Sequence, residues 1–271
     1  MRAIVAGAGG RMGQALIRAI AADETIDLGA ALDRPGAEAI GRDSGTLAGL
    51  EANGIAVSDE PLQAFVDGRG VIDFTAPDNT VALSELAAQA RIPHIIGTTG
   101  LTDDHVAALK AAARHAPIVL SGNMSLGVNL MAGLVRQAAR SLGPGWDIEI
   151  VEMHHRHKVD APSGTALLFG EAAADGRGVA LDDVAVRVRD GQTGARPETA
   201  IGFAALRGGS VVGDHTVILA GPSERIELTH RAESREIFAQ GALRALMWAR
   251  GQEPGLYDMA AVLGLDDTRK G

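Results

Sequence analysis

Short apolar runs alternate with segments of helical periodicity along the first third of the chain. Apolar runs predict strands at 2–6, 27–32, 71–74, 93–96 and 118–120, and the periodicity predicts helices near 12–20, 81–90 and 103–113. Each strand segment is nearly continuously apolar, so helices should cover both faces of the sheet. The pattern therefore predicts a doubly wound, parallel α/β domain.

The pattern changes after a predicted helix near 128–139. β-rich segments then follow one another across glycine-containing turns, at 147–153, 184–188, 201–206, 216–219 and 226–229. Only one clear helix, 163–174, interrupts them, and we expect 191–197 to form a long flexible loop. This composition predicts a second, sheet-dominated domain, after which a last helix begins at Ser234.

Composition narrows the class of protein. The 271 residues carry 25 Lys and Arg against 34 Asp and Glu, a formal net charge of −9, and 46% of them are hydrophobic. This apolar content is enough for a buried core, and the acidity disfavours nonspecific binding to nucleic acid or anionic membranes. No apolar run approaches the ~18 residues of a membrane span. The chain contains no cysteine and starts directly in a strand-like segment, so we expect a cytoplasmic protein without disulfides, thiolate metal sites or a signal peptide.

A glycine-rich segment, residues 7–13 (GAGGRMG), joins the first predicted strand to the first predicted helix. Glycines at this point let backbone N–H groups approach a pyrophosphate. The spacing differs from the common G-x-G-x-x-G pattern, so an ordinary tight turn remains an alternative. Asp33 lies twenty residues after Gly13, where an acidic group would accept hydrogen bonds from the ribose of NAD(H). Arg34 follows it and could pair with the 2′-phosphate of NADP(H).

Histidines concentrate in residues 152–165 (EMHHRHKVDAPSGT). If the strand stays extended, His154, Arg156 and Lys158 face one side, while His155 and His157 face the other. A zinc site would need three or four converging ligands, and no cysteine is available. A solvated strand end and a binding site for an anionic substrate are the other two interpretations.

The anion-binding interpretation rests on the second half of the same segment. Pro162 and Ser163 resemble a helix start, so the amides of Gly164 and Thr165 would point outward at a helix N-terminus, which favours a carboxylate. Lys158 would add positive charge, and a neighbouring histidine can donate a proton near neutral pH.

Together these segments resemble the 4-hydroxy-tetrahydrodipicolinate reductase (dihydrodipicolinate reductase) family of the bacterial diaminopimelate–lysine pathway. The matching segments span nearly the full length, at 6–13, 72–77, 96–100, 152–166, 191–194, 201–203 and 213–216. The resemblance implies a Rossmann-like dinucleotide-binding domain (1–125) and a smaller α+β substrate-binding and oligomerisation domain with a mixed sheet (126–233). It also implies C-terminal helices that return to the first domain (234–271), and a homotetramer.

The resemblance assigns roles to residues. It makes His154 the proton donor and Lys158 a second donor. Because the chain has no cysteine and strand alternation separates the histidines, we expect no catalytic metal. It implies that NADH or NADPH is held by Gly7, Ala8, Gly9, Gly10, Arg11, Met12, Asp33, Arg34, Gly97, Thr98, Thr99, Ser121, Gly122, Asn123 and Met124. Substrate contacts would come from His155, Gly164 and Thr165. Many relatives have Phe at the position of Met124 and Glu at the position of Asp33, so the preference between the two cofactors stays open.

The implied reaction is the NAD(P)H-dependent reduction of 4-hydroxy-tetrahydrodipicolinate, a cyclic imine dicarboxylate, to tetrahydrodipicolinate with loss of water. Two alternatives remain. One is a related NAD(P)-dependent amino-acid dehydrogenase, such as an aspartate dehydrogenase, against which Lys158 and the Gly164–Thr165 pair argue. The other is a non-catalytic nicotinamide-sensing module, which would not need His154 and Lys158 beside a carboxylate site.

Overall fold

The computed structural model describes residues 1–265. In this range the strands are β1 (Arg2–Ala6), β2 (Asp27–Leu32), β3 (Val57–Ser58), β4 (Val71–Asp73), β5 (His94–Ile96), β6 (Pro117–Leu120), β7 (Asp147–His154), β8 (Ala185–Val186), β9 (Ile201–Arg207), β10 (Gly213–Ala220), β11 (Arg225–Ala232) and β12 (Gly255–Tyr257). The helices are α1 (Arg11–Ala21), α2 (Ser44–Leu47), α3 (Pro61–Asp67), α4 (Pro77–Ala90), α5 (Asp103–Ala112), α6 (Leu126–Leu142), α7 (Gly164–Arg177), α8 (Leu181–Val184), α9 (Glu236–Ala249) and α10 (Met259–Leu263).

The chain divides into two compact units. The first contains Met1–Leu126 and the residues from Glu236 onward, and the second contains Gly127–Arg235. The first unit is built on a parallel sheet with the strand order β12-β6-β5-β4-β1-β2-β3. This is the Rossmann order with one strand, β12, added at an edge. From β1 the chain adds β2 and β3 toward one edge of the sheet, and it then adds β4, β5 and β6 toward the other, so the strand order reverses between β1 and β4. Ligands of such sheets bind at this reversal, beyond the carboxyl ends of the strands.

Both faces of the first sheet are covered by helices. On β1, Ala3 and Val5 belong to a core shared with α1, α9 and α10, whereas Ile4 and Ala6 belong to a core shared with α3 and α4. Because neither face of the sheet meets solvent, residues pointing to either side of a strand must be apolar. This explains why the strands appear in the sequence as unbroken apolar runs.

The second unit contains a mixed sheet in the order β11-β10-β7-β9-β8. Strand β10 is antiparallel to β7 and β11, while β9 is parallel to β7 and β8. Alternate residues of β7 are buried, and Ile148 and Ile150 pack in a core with α6 and α7. The same alternation continues to Glu152 and His154, which are also buried. The period of the strand therefore carries two ionisable side chains to the helix-covered face of the sheet.

These observations confirm the predicted fold class, a Rossmann-like unit followed by a unit with a mixed sheet. The pattern did not predict β3, α3 or β12. Strand β3 has only two residues, and helix α3 exposes two of its apolar residues, Leu62 and Val66, so neither has a clear periodic signal. After residue 234 the chain forms α9 and α10 and also β12, which extends the parallel sheet beside β6. Within residues 1–265, no helix is long and apolar enough to span a membrane.

Candidate functional site

The predicted cofactor residues of the first unit follow the carboxyl ends of neighbouring strands. The glycine-rich segment follows β1, Asp33 and Arg34 follow β2, 97–99 follow β5, and 121–124 follow β6. Gly7 has a positive φ of 74°, which favours glycine. A Cβ at Gly13 would overlap the carbonyl oxygen of Gly7, so only glycine lets α1 start this close to β1. This close approach between helix and strand is typical of dinucleotide-binding turns.

Backbone hydrogen bonds show which amides of the glycine-rich segment remain for an anion. The N–H groups of Ala8 and Gly10 donate to carbonyl groups of Leu32 and Gly7. Helix α1 begins at Arg11, no side chain caps it, and its first turn contains no acidic residue. First-turn amides have no acceptor within their own helix. The amides at the start of α1 are therefore the ones best placed to donate to a pyrophosphate.

Asp33 is anchored by backbone amides. One carboxylate oxygen accepts the Gly9 N–H at 2.8 Å, and the other accepts the Arg34 N–H at 2.8 Å. The Arg34 side chain is exposed. The acidic group is thereby fixed beside the glycine-rich turn, and an adjacent cation faces solvent.

Thr98 points into the protein, unlike its neighbour Thr99, which is exposed. The Thr98 and Thr80 hydroxyl oxygens lie 2.8 Å apart, and Thr80 donates to the Asp73 carboxylate at 2.6 Å. The Thr75 N–H donates to Thr98 Oγ1 at 3.1 Å. Any contact of Thr98 with a cofactor would therefore have to come from its backbone.

The segment after β6 also turns one predicted side chain inward. Ser121 Oγ donates to the Asn123 carbonyl at 2.7 Å, which folds the segment into a tight turn. Gly122 is exposed, whereas the Met124 side chain is fully buried in the core under α9. A Cβ at Gly241 would overlap the Met124 carbonyl, so α9 packs directly on this residue. Only the backbone of Met124 is placed to contact a ligand.

His154, the predicted proton donor, is paired with Glu152. Its Nδ1 lies 2.6 Å from Glu152 Oε2, and both residues are buried at the end of β7. Because Nδ1 faces the carboxylate, Nε2 is the nitrogen left to exchange a proton with a substrate. Gly213 on the neighbouring strand leaves room beside this atom, since a Cβ there would lie 3.0 Å from Nε2.

The Glu152 carboxylate has further partners. Arg207 binds both of its oxygens, at 2.8 and 2.9 Å, and the Ser163 N–H donates to Oε1 at 3.1 Å. Burial would raise the pKa of Glu152, but the hydrogen bonds from Arg207 and His154 hold it below the usual range of a carboxyl group. Glu152 is therefore a carboxylate at neutral pH.

Ser163 caps helix α7, as the sequence predicts. Its hydroxyl accepts the Ala166 N–H at 3.2 Å and lies 2.9 Å from His215 Nε2. Gly164 is exposed, Thr165 is half-buried, and the first turn contains no acidic residue. The helix start thus exposes Gly164 and has no acidic side chain to repel an anion, in the same unit as His154.

The expectation that His154 and Lys158 share one face of an extended strand is wrong. Strand β7 ends at His154, and the chain turns so that the Lys158 N–H donates to the His155 carbonyl at 3.1 Å. The Lys158 ammonium lies 2.9 Å from Asp160 Oδ1.

For His155, desolvation and the positive charge of Arg235 lower the pKa of the imidazole. In the described residues, no group of three or more His, Cys, Asp or Glu side chains is arranged to hold a metal ion.

The sequence did not indicate four contributions to the hydrogen-bond network around His154. These are Glu152, the N–H of Ser163 as a donor, Arg207 and His215. Glu152 could have been found, because it precedes His154 by two positions and so lies on the same face of a strand. Arg207 and His215 are brought in by β9 and β10, which pair with β7 over long sequence distances. No local pattern encodes such pairings.

Comparison with known proteins identifies the family. Residues 1–124 match the family described as dihydrodipicolinate reductase, N-terminus, and residues 127–263 match dihydrodipicolinate reductase, C-terminus. The chain belongs to the dihydrodipicolinate reductase family. Proteins named 4-hydroxy-tetrahydrodipicolinate reductase from Sinorhizobium medicae (strain WSM419) and Brucella abortus (strain 2308) are 61% and 59% identical to it. Each alignment covers 98% of this chain, and 98% and 100% of the respective relative.

Solved structures agree with the family at the level of the fold. A dipicolinate-bound dihydrodipicolinate reductase from Paenisporosarcina sp. TG-14 has a TM-score of 0.78 at 24% identity, over 95% of this chain and 97% of that one. A C. glutamicum DAP dehydrogenase in complex with DAP has a TM-score of 0.57 at 13% identity, over 99% and 96% of the two chains. Membership of the dihydrodipicolinate reductase family confirms the enzyme class, an NAD(P)H-dependent oxidoreductase, and the cofactor class.

Proposed function

We propose that this protein reduces 4-hydroxy-tetrahydrodipicolinate to tetrahydrodipicolinate with NADH or NADPH and releases water, in diaminopimelate and lysine biosynthesis. The observation that carries the proposal is the 61% identity to a 4-hydroxy-tetrahydrodipicolinate reductase over 98% of both chains. The contacts of each unit support it, because the first has a dinucleotide-binding edge and the second has a histidine paired with a carboxylate near an open helix start.

The first unit fits a dinucleotide. Helix α1 starts directly against β1, because a Cβ at Gly13 would overlap the Gly7 carbonyl oxygen, and the first-turn amides of Arg11 and Met12 would donate to the pyrophosphate. Asp33, fixed by the Gly9 amide, would accept hydrogen bonds from ribose hydroxyls. When bound, NAD(P)H supplies the hydride that reduces the substrate.

The backbone at the carboxyl ends of β5 and β6 would line the nicotinamide ring. Thr99 and Gly122 are exposed there, while the side chains of Thr98 and Met124 are turned into the protein. The residues that would touch the ring thus contribute mainly peptide groups, and the inward side chains hold those groups in place.

The second unit supplies the groups for a dianionic substrate. The amides of Gly164 and Thr165 at the start of α7 would bind one carboxylate, and Lys158 would attract negative charge. His155 would add a further contact. Each of these groups favours an anion, as a cyclic dicarboxylate requires.

Proton balance gives His154 its role. Reduction with loss of the hydroxyl as water consumes one hydride and one proton per turnover, so an acid must supply the proton. Glu152 occupies Nδ1 of His154, and the proton would leave from Nε2. Lys158 would stabilise negative charge that develops in the transition state.

The proposal includes a cytoplasmic location and a homotetramer assembled through the sheet of the second unit. What supports the assembly, besides the family resemblance, is an apolar surface on the face of this sheet away from α6 and α7. Leu206 is 50% exposed there, beside the partly exposed Met153 of the neighbouring strand. Light scattering after gel filtration tests this, and a monomer at micromolar concentration would contradict it.

The decisive experiment is turnover of enzymatically generated substrate by the purified protein, followed as loss of NADH or NADPH absorbance. His154→Gln should lower kcat by about 10²–10⁴, the range for a positioned acid, with little change in NADH affinity. Wild-type kcat in His154→Gln together with lost NADH affinity would overturn the acid role. Reduction of an oxo acid to an amino acid instead would favour the dehydrogenase alternative, and binding of NADH without any turnover would favour the sensor.

A further inference from the structure

The Glu152 carboxylate connects the predicted acid to the predicted carboxylate-binding helix. Its Oε2 accepts from His154 Nδ1 and Arg207, and its Oε1 accepts from Arg207 and the Ser163 N–H. The carboxyl side chain is 1% exposed, so water does not compete for these contacts. Ser163 is the residue that caps α7, directly before Gly164.

We propose that Glu152 is a positioning residue that sets the orientation of His154 and of the helix start at Ser163 together, so that proton donor and carboxylate site keep one geometry. This inference rests on the proposed function, because it assigns Glu152 to the acid and substrate site described there.

Hydrogen-bond chemistry explains why a carboxylate is needed. Four donors point at Glu152, two at each oxygen, and an ionised carboxylate has about four acceptor positions and no donor. A glutamine of the same shape would place an NH₂ group against two of these donors. A purely structural ion pair would need only Arg207. The additional hydrogen bonds with His154 and Ser163 connect Glu152 to the predicted acid and to the start of α7.

The side chain of Glu149 offers a matched control. It lies on the same strand as Glu152 and also accepts hydrogen bonds from two arginines, Arg189 and Arg196. It is an odd-numbered residue of β7, on the other face of the strand from His154. Replacing either residue by glutamine removes the negative charge of a carboxylate that is paired with arginine. Only the replacement of Glu152 also changes a contact of His154, the predicted acid.

The test is a double-mutant cycle with Glu152→Gln and His154→Gln. Glu152→Gln alone should lower kcat by about tenfold to a hundredfold, the cost of misplacing a catalytic group by a fraction of an ångström to one ångström. In the His154→Gln background it should lower kcat by less than about threefold, because the group it positions is gone. Glu149→Gln should leave kcat and KM unchanged. Equal losses from Glu152→Gln in both backgrounds would overturn the coupling to His154.

Two further measurements separate positioning from loss of folding. Calorimetric titration of the NADH-saturated protein with pyridine-2,6-dicarboxylate should show weaker binding in Glu152→Gln, because the Ser163 N–H then meets an uncharged amide group instead of a carboxylate oxygen. Thermal unfolding establishes whether the variants fold. If Glu152→Gln does not fold, Glu152→Asp takes its place, since it keeps the charge but shortens the reach to His154. Unchanged dicarboxylate affinity would contradict the link to α7.

Imidazole ¹⁵N spectra decide the question independently of turnover. In the wild type the ring proton of His154 should reside on Nδ1 when the ring is neutral, and in Glu152→Gln the two tautomers should mix. If the wild-type protein does not turn over the substrate, the proposed function fails, and these spectra still test the positioning of His154. A wild-type tautomer preserved in Glu152→Gln would overturn the inference.

Discussion

The carboxylate of Asp73 faces the imidazole of His94 in the interior of the first unit, with 3.4 Å between Oδ2 and Nε2 and no exposure of either side chain. His94 Nδ1 lies 2.9 Å from Ser84 Oγ, which donates its own proton to the Thr80 carbonyl. Burial would raise the pKa of Asp73, but His94 and the hydroxyls of Thr75 and Thr80 hold it below its usual range. An ionised, buried carboxylate thus ties the last residue of β4 to the first residue of β5.

We expect Asp73→Asn to destabilise the protein by about 3 kcal/mol at pH 7, because it removes one partner of a buried pair. The pKa of Asp73 in the folded protein lies below its ordinary value of 3.8, so its contribution to stability is fully present above pH 3.8 and is lost as the pH falls through the folded-state pKa. The difference in the free energy of unfolding between wild type and Asp73→Asn should therefore become smaller below pH 3.8. Urea unfolding at several pH values measures this.

The exposed pair Asp78–His105 is the control for this prediction, with 3.1 Å between carboxylate and imidazole. Asp78→Asn should leave stability unchanged, since solvated pairs contribute little. NADH affinity should fall in Asp73→Asn alone, because Thr98 depends on the Asp73 network. A variant as stable as the wild type across this pH range would contradict the buried-charge assignment.

His215 should make the protein sensitive to mild acid. Burial, and then the positive charge of His154, lower its pKa from 6.5 to about 4. The unfolded chain takes up the proton first, so the contribution is complete above pH 6.5 and is lost between pH 6.5 and 4. A pKa lowered from 6.5 to about 4 corresponds to a loss of roughly 3.5 kcal/mol once the histidine is protonated in both states. His215→Gln should flatten the stability curve in this interval, and replacing the exposed His115 by Gln should not.

Cofactor choice depends on the Asp33–Arg34 pair. We expect dual use of NADH and NADPH, with specificity constants within about tenfold, or about 1.4 kcal/mol. Arg34→Ala should raise KM for NADPH at least about tenfold, because a charge-assisted contact to the 2′-phosphate is lost, and should change KM for NADH little. Arg114→Ala, an exposed arginine just before β6, is the control. Equal losses for both cofactors would contradict the role of Arg34.

The sequence predicted most of the fold because its longer elements are periodic and its buried strands are continuously apolar. The exceptions have physical causes. Strand β12 has three half-buried residues and is defined by its pairing with β6, which no local pattern encodes. The turn after His154 was not predicted, because the alternation of a strand was assumed to continue to Lys158. In the structure the hydrogen bond from the Lys158 N–H to the His155 carbonyl turns the chain there.

For the cofactor residues of the first unit, the sequence identified which segments follow the ends of strands but not where their side chains point. Thr98 and Met124 follow strand ends, as predicted, yet the first hydrogen-bonds to a buried network and the second fills a core. Orientation at a strand end depends on partners from other elements, here Asp73 and α9. Such partners become visible only in three dimensions.

Lys158 is held by Asp160 in this structure, and the ammonium keeps the pKa of the Asp160 carboxyl below its usual range. A substrate carboxylate would compete with Asp160 for this charge. Asp160→Asn keeps an oxygen acceptor but removes the competing charge, so we expect KM for substrate to fall about two- to fivefold, more at low ionic strength. Lys158→Ala should instead raise KM and lower kcat, since the charge acts in both the ground state and the transition state.

Steady-state kinetics at two salt concentrations, with affinity for pyridine-2,6-dicarboxylate measured in parallel, checks this last expectation. Asp182→Asn is the matched control, because it removes the same charge from a surface pair with Arg187. Long-range electrostatics alone would lower KM equally in both aspartate variants. If Asp160→Asn weakens dicarboxylate binding as much as Lys158→Ala does, then Asp160 holds the lysine in its working position rather than competing for it. The sign of the change in KM therefore assigns the role of this ion pair.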